Sequence, residues 1–320
     1  MRRLLVLSAV FVAGVLSVSV GALQQSQAPR GGGVPQPTGP PSAAALVVDK
    51  LDDTLFIVRG ANAGGNTAVF LTNEGVTVVD TKIPGWGQPL IEKIKTITNK
   101  PIVRVINTHT HYDHVGGNVD FPATVEFVSQ SNTKKYMMGT EPIAGVQTGP
   151  QENQFKAHGG HGLPTRTFTK DLTIGKGAEE IDLHFFGCAH TGGDAFVVFP
   201  ALRTMHAGDV FPNKGLPIMD RNNGGCGIEY SETIMKAAAV KNIDRVITGH
   251  SDNTMTMAEL REYGEFVRSF TDEVRAAKKA GKKMDEVAKS WKPSGKFASY
   301  GVGFGDMLPS NVQTVWNEAK

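Results

Sequence analysis

The chain has 320 residues, of which 40% are hydrophobic and 20% charged, with a formal net charge of +2. That length and composition allow one large domain or two small ones. Without Arg2 and Arg3 the formal charge falls to zero, and a neutral chain with no basic stripe argues against a nucleic-acid partner.

The first residues read as an export signal. Arg2 and Arg3 form a basic end, Leu4 to Val20 an apolar run, and Val20-Gly21-Ala22 a small-residue cleavage site. Ser26-Gln27-Ala28 is a second such site, disfavoured by Pro29. The expectation is a signal peptide over 1–22 and a periplasmic or secreted product. The competing reading is an uncleaved membrane anchor, for which a run of 17 residues is at the short limit. No stable membrane partner is expected. Residues 23–45, rich in Pro, Gly, Ser, Ala and Gln, read as a disordered linker. The folded domain is expected over 46–320. In an exported chain the two cysteines, Cys188 and Cys226, can pair, stay free, or approach a metal.

Along the domain, Thr54–Val58, Ala68–Thr72 and Val76–Asp80 read as strands, the last two joined by an Asn73-Glu74-Gly75 turn. Gly87 to Thr98 reads as a helix with Leu90, Ile91, Ile94 and Ile97 as its buried stripe. Ile102 to Ile106 is a β-branched run, hence a buried strand. Val125–Ser129 reads as a strand and Asn132–Met138 as a helix, with Met137 and Met138 as packing residues. Gly139 to Pro164 is a long irregular segment of the kind that forms functional loops. It carries His158 and His161, most simply polar loop residues. Arg166–Ile174 and Ile181–Phe186 read as an antiparallel pair, followed by strands Ala195–Phe199 and Thr204–His206. His184 and His206 lie inside strands and read as structural. A second long loop spans Phe211 to Gly227. Helix Ser231–Val240, strand Arg245–Ile247, a long amphipathic helix Met257–Ala280 and shorter helices Met284–Lys289 and Asn311–Ala319 complete the chain. The tail is expected to cover a sheet face.

The chemistry concentrates directly after the strand Ile102–Ile106, in His109-Thr-His111-Tyr-Asp113-His114-Val-Gly-Gly117. Alternate side chains at a strand end point the same way, so His109 and His111 can aim at one cation. Asp113 and His114, past the turn, can aim beside it. Gly116 and Gly117 let the backbone pass close by and are expected to open a helix. Three more segments follow in order: Cys188-Ala-His190-Thr-Gly-Gly-Asp194, His206-Ala-Gly208-Asp209 and Thr248-Gly249-His250.

This HxHxDH pattern with three ordered partners resembles the metallo-β-lactamase superfamily, over about Thr54 to His250. The resemblance implies an α/β fold, a four-layer αββα sandwich. It implies that His109, His111 and His190 hold one metal, that Asp113, His114 and His250 hold a second, and that Asp209 bridges them. Asp80 would orient a ligand histidine, as against simply capping the next turn. Five of the nine histidines and two carboxylates make a donor set suited to two zinc ions, with iron or manganese possible. The oxygen-reducing di-iron branch has a carboxylate where this chain has His111, which lowers a redox reading.

The implied activity is hydrolysis of a small-molecule ester, thioester, lactone or amide by a hydroxide held between the metals, with Asp113 as the catalytic carboxylate. His158 and Lys214 are candidates to stabilise a tetrahedral intermediate. Two alternatives stand beside it. One is a metallo-β-lactamase: export fits it, and Gly224-Gly225-Cys226 is similar to the Gly-Gly-Cys of the Cys-ligand subclass. That Cys falls later than the subclass places it, and Asp209 already holds the bridging place. The other is a non-catalytic metal-binding module of the same fold. Oligomeric state is not legible.

Overall fold

The computed structural model describes residues 40–139, 141–143, 152–305 and 307–320. The expected signal, most of the expected linker and part of the loop after Gly139 lie outside the described residues.

The strands form two sheets that follow one another along the chain. The first holds β1 (Leu46–Lys50), β2 (Leu55–Gly60), β3 (Thr67–Leu71), β4 (Val76–Val79), β5 (Ile102–Asn107), β6 (Glu126–Gln130) and β7 (Arg166–Phe168), seven strands ordered as they occur in sequence. The hairpins β1 to β4 pair antiparallel, and β4 to β7 pair parallel. The second sheet holds β8 (Asp171–Ile174), β9 (Ile181–His184), β10 (Phe196–Phe199), β11 (Thr204–His206) and β12 (Arg245–Ile247), in the order β12-β11-β10-β9-β8.

Period-two alternation sorts the apolar side chains onto two faces of each sheet. Leu55, Ile57, Phe70, Val79, Ile106 and Val128 of the first sheet meet Ile181, Leu183, Val197, Phe199 and Ile247 of the second, all buried. On the outer face of the first sheet, Val69, Val78, Val105 and Phe127 pack against Leu90, Ile91 and Ile94 of helix α1 (Gly87–Lys95). On the outer face of the second, Phe196, Val198, Met205 and Val246 pack against α5 (Tyr230–Ala237), α6 (Met257–Lys279) and α8 (Leu308–Glu318). The layers are thus helix, sheet, sheet, helix. A capping box at Thr256 and Glu259 starts α6. The tail covers a sheet face, as expected, and carries the short helix α7 (Met284–Ser290) with it.

Four expectations need correction. β1 was not expected, and a 3-10 turn at Ala43–Ala45 leads into it. The segment Arg166–Ile174 is not one strand. β7 ends at Phe168 in the first sheet, where Ser131 Oγ and Gln130 Nε2 donate to the Phe168 and Thr169 carbonyls, and β8 begins at Asp171 in the second. Gly116 and Gly117 close a one-turn helix, α2 (Tyr112–Val115), rather than open one. A methyl group on Gly117 would overlap the Thr81 carbonyl, so the demand is for close backbone approach. Of the two methionines expected to pack, Met137 is buried at the end of α3 (Ser131–Met137), but Met138 is exposed beyond it. The remaining short helix, α4 (Gln154–Ala157), falls within the long loop.

Candidate metal centre

Each segment with a predicted ligand leaves a strand at one edge of the two sheets. His109 to His114 follow β5, His190 lies between β9 and β10, Asp209 follows β11 and His250 follows β12. The donor atoms of His109, His111, His190 and Asp209 lie within 4.8 Å of one another. Those of Asp113, His114 and His250 do the same. Asp209 lies between the groups. Its Oδ2 is 3.1 Å from His250 Nε2 and 3.7 Å from His190 Nε2, and its Oδ1 is 3.3 Å from His114 Nε2.

The surrounding hydrogen bonds decide which face each imidazole turns inward. A carboxylate or carbonyl oxygen can only accept, so the ring nitrogen beside it carries the proton. His111 Nε2 donates to Asp220 Oδ2 at 2.8 Å, His114 Nδ1 to Asp80 Oδ2 at 2.7 Å and His190 Nδ1 to the Ile218 carbonyl at 2.8 Å. Thr108 Oγ1 spends its proton on Asp80 Oδ2, so it accepts from His109 Nδ1 at 3.0 Å. In the neutral rings, every inward nitrogen is therefore a bare lone pair. His190 Nε2 and His111 Nδ1 face each other at 2.9 Å, an arrangement that repels unless a cation stands between them. His109 Nε2 and Asp209 Oδ1 are buried with no hydrogen-bond partner among the described residues. Orphaned donors on a set of imidazoles and carboxylates fit metal ions.

The electrostatics divide the cluster in two. Burial, and then the neighbouring histidines, hold His109 well below the usual histidine range. Burial and His111 bring His190 down to about 4. These rings are neutral at pH 7. Burial also pushes against a charge on His250, but Asp209 and Asp113 outweigh it and raise His250 to about 9. His114 is likewise raised, by Asp209, Asp113 and Asp80. Burial would lift Asp113, yet His114 and His250 bring it to about 2. Without metal, protons on His114 and His250 offset the carboxylates.

Asp80 sits behind the motif as a hub. It accepts from Thr108 N and Thr108 Oγ1 as well as His114 Nδ1. It does so from a left-handed backbone (φ 65°), and Lys82 is left-handed too (φ 76°), strain that is concentrated beside the cluster. Between them, Thr81 donates its N–H to the His114 carbonyl at 2.7 Å.

Sequence reasoning missed three contributors. Asp220, fully buried, orients His111 and is itself held by Asn222 N and Asn223 Nδ2. It lies in a Gly/Asn-rich loop whose spacing carries no ligand signal. Lys82 is fully buried, donates to the Val58 carbonyl at 2.7 Å and the Gly65 carbonyl at 2.5 Å, and is brought by burial to about 7. Phe304, from the tail, meets the His250 ring edge-on at 5.3 Å.

Other expectations part from the cluster. His158 Nδ1 bonds the Gln154 carbonyl and Lys214 pairs with Glu259 at 2.7 Å, so neither is presented as an oxyanion donor. His161 bonds the Phe121 carbonyl. His184 pairs with Asp171, and His206 bonds the Asn66 carbonyl, both structural as expected. Cys188 and Cys226 form a disulfide, which settles their fate and removes Cys226 as a ligand.

Residues 61–258 match the sequence pattern of the family described as the metallo-beta-lactamase superfamily. The chain belongs to that superfamily. By family, fold and donor set this chain is a metal-dependent hydrolase. It is similar to the metallo-beta-lactamase IND-1 of Chryseobacterium indologenes, 25% identical over 204 residues, covering 62% of this chain and 77% of that one. A shorter match, 44% over 54 residues, covers 17% of this chain and 22% of a probable metallo-hydrolase of Streptococcus pyogenes serotype M6. Among solved structures, the sec-alkylsulfatase Pisa1 from a Pseudomonas species superposes with a TM-score of 0.66 at 15% identity, covering 85% of this chain. The chain spans 50% of the sulfatase's length. A metallo-beta-lactamase from Pontibacter korlensis superposes with a TM-score of 0.54 at 19% identity, covering 70% of this chain and 99% of that one. At these identities the likeness is one of fold.

Proposed function

We propose that the chain is a dinuclear zinc hydrolase acting on an ester, thioester, lactone or amide. The observation that carries this is the cluster itself, in which outer partners turn the lone pairs of His109, His111 and His190 toward one another. His109, His111 and His190 would hold one ion, Asp113, His114 and His250 the other, with Asp209 between them. Such ions, when bound, acidify a water and polarise the oxygen under attack. Asp80, Asp220 and the Ile218 carbonyl keep the ligand rings from rotating and make them better donors. Asp113, whose Oδ2 is 3.3 Å from His250 Nε2 and which is still partly open to solvent, would take a proton during attack and return it to the leaving group.

The disulfide supports an exported protein with a signal peptide, because such bonds persist in oxidising compartments. No described helix is long and apolar enough to cross a membrane. A second reading, β-lactam hydrolysis, is favoured by the similarity to IND-1 over 62% of this chain.

The test is to purify the chain from about Leu23, measure its metal, and assay a chromogenic cephalosporin, a thioester, a lactone, an alkyl sulfate and a phosphodiester with and without chelator. Two equivalents of zinc and chelator-sensitive turnover of one class are expected. His109→Ala should abolish that turnover while the far-UV spectrum stays native. Fewer than one metal per chain, or an active metal-free His109→Ala protein, overturns the reading.

A further inference from the structure

Beside the candidate metal ligands a cleft of about 80 Å³ runs from His111 and Thr110 toward the long loop. Its apolar and aromatic lining residues are Tyr112, Val115, Tyr136, Met137, Ile143 and Phe155. Val115, Met137 and Phe155 are buried and pack on one another, with Val119 and Leu163 behind them, so this floor is part of a fixed core. Tyr112 packs with Ile143 and also with Met307 of the tail and Ile218 of the second loop. The long loop, the second loop and the tail therefore meet at the residue between His111 and Asp113.

The charge in the cleft has one sign. Glu141 and Glu152 line it, and no Lys or Arg does. Neither carboxylate has an ion-pair partner among the described residues. Lys135, whose ammonium lies 5.7 Å from the centre of the Tyr136 ring, is outside the lining. An anionic substituent entering here would meet two carboxylates on the solvent-exposed side of the cleft, while a cationic one would find both a counter-charge and aromatic faces.

The geometry points to a substrate whose non-reacting part is an aryl or alkyl group carrying a positive charge, seated on the Val115–Met137–Phe155 floor with its charge toward Glu141 and Glu152. This rests on the hydrolase reading and deepens it, because the cleft opens at His111. An acid-lined cleft of this kind disfavours substrates whose recognised end is a carboxylate, sulfate or phosphate.

The experiment uses zinc-loaded chain and three benzoate esters of one leaving group whose ring carries a para-methyl, para-carboxymethyl or para-trimethylammoniomethyl group, the methylene insulating the carbonyl from the charge. The expected order of kcat/KM is cationic, neutral, anionic, with the step from cationic to neutral about three- to tenfold, as two solvent-facing carboxylates supply. In the double variant E141Q/E152Q the cationic-to-neutral ratio falls to about one. Phe155→Leu raises KM for the benzoate esters more than for an acetyl ester. Equal rates for the three charges, or preference for the carboxylate, overturns the proposal. Binding of phenyltrimethylammonium and benzoate, followed by calorimetry, separates the two readings. If no ester is cleaved yet the ammonium binds and E141Q/E152Q weakens it, the ester assignment fails and the cleft assignment stands. If esters are cleaved and the ammonium binds no better than benzoate, the cleft assignment fails alone.

Discussion

Replacing Cys188 and Cys226 by serine tests the disulfide and the loop it secures. The bond joins positions separated by 38 residues in sequence. It ties the segment bearing His190 to the one bearing Asp220, which are already cross-bonded through Asp220 N to the His190 carbonyl and Cys226 N to the Ala189 carbonyl. With those bonds in place the native loop keeps its path, and the loss falls on the unfolded chain. Closing a loop of that length removes about 13 cal/mol/K of chain entropy, or about 4 kcal/mol at room temperature. Spread over an unfolding entropy of roughly 580 cal/mol/K for a domain of this size, that lowers the midpoint by about 7 °C. The assay is thermal unfolding of chelated protein, with and without a phosphine reductant, beside the double serine variant. Reduced wild type and variant are expected to coincide and to melt below the oxidised protein. Coincidence of all three melts would refute the argument, as would thiols that titrate in the unreduced, denatured chain.

Zinc uptake is expected to be biphasic in pH. Loading the Asp113, His114 and His250 group displaces protons, so its affinity should strengthen by up to about tenfold per pH unit and proton as pH rises toward 9, while His109 and His190 release no proton above about pH 5. Chelator competition from pH 6 to 9 measures this, and two parallel flat lines would dismiss it. In the metal-free protein, the His250 contribution to stability is complete below the unfolded value of 6.5 and is lost as pH rises through about 9, so apo melting should fall across that window. Asp220→Asn removes the negative charge that fixes the His111 ring and is expected to weaken zinc about 10- to 100-fold, read by competition with a chromophoric chelator; unchanged affinity would make Asp220 merely structural. Gly249→Ala places a methyl group against the Asp209 carboxylate, so metal content should drop while the fold persists, and full loading would show that Asp209 is not needed.

What the sequence revealed was whatever depends on short range. His109, His111, Asp113 and His114 fall within six positions after one strong strand, and His190, Asp209 and His250 each come from the loop after a strand. Asp220 could not be found this way, because its partner His111 is 109 residues distant and the contact exists only after the sheets pack. Nor could the break at Thr169, where continuous β-propensity conceals a passage from one sheet to the other. Lys82 defeated pattern reading because a lysine is expected in water; here two backbone carbonyls take its place. Phe304 comes from a tail in which nothing resembles a ligand, and reaches His250 through a loop held to Lys214 and Leu216 by backbone bonds.

The passage between sheets has a further consequence. Because β1 to β7 precede Thr169 and β8 to β12 follow it, the molecule consists of two successive halves that meet face to face. The first half owns His109, His111, Asp113 and His114; the second owns His190, Asp209 and His250. Cut at that junction, neither fragment retains either cluster of donors intact, so an ion bound with native affinity becomes a reporter of reassembly. The same arithmetic binds assembly and chemistry together during synthesis. The nascent first half carries only part of each donor set, so both sets are complete only once the trailing half is in place.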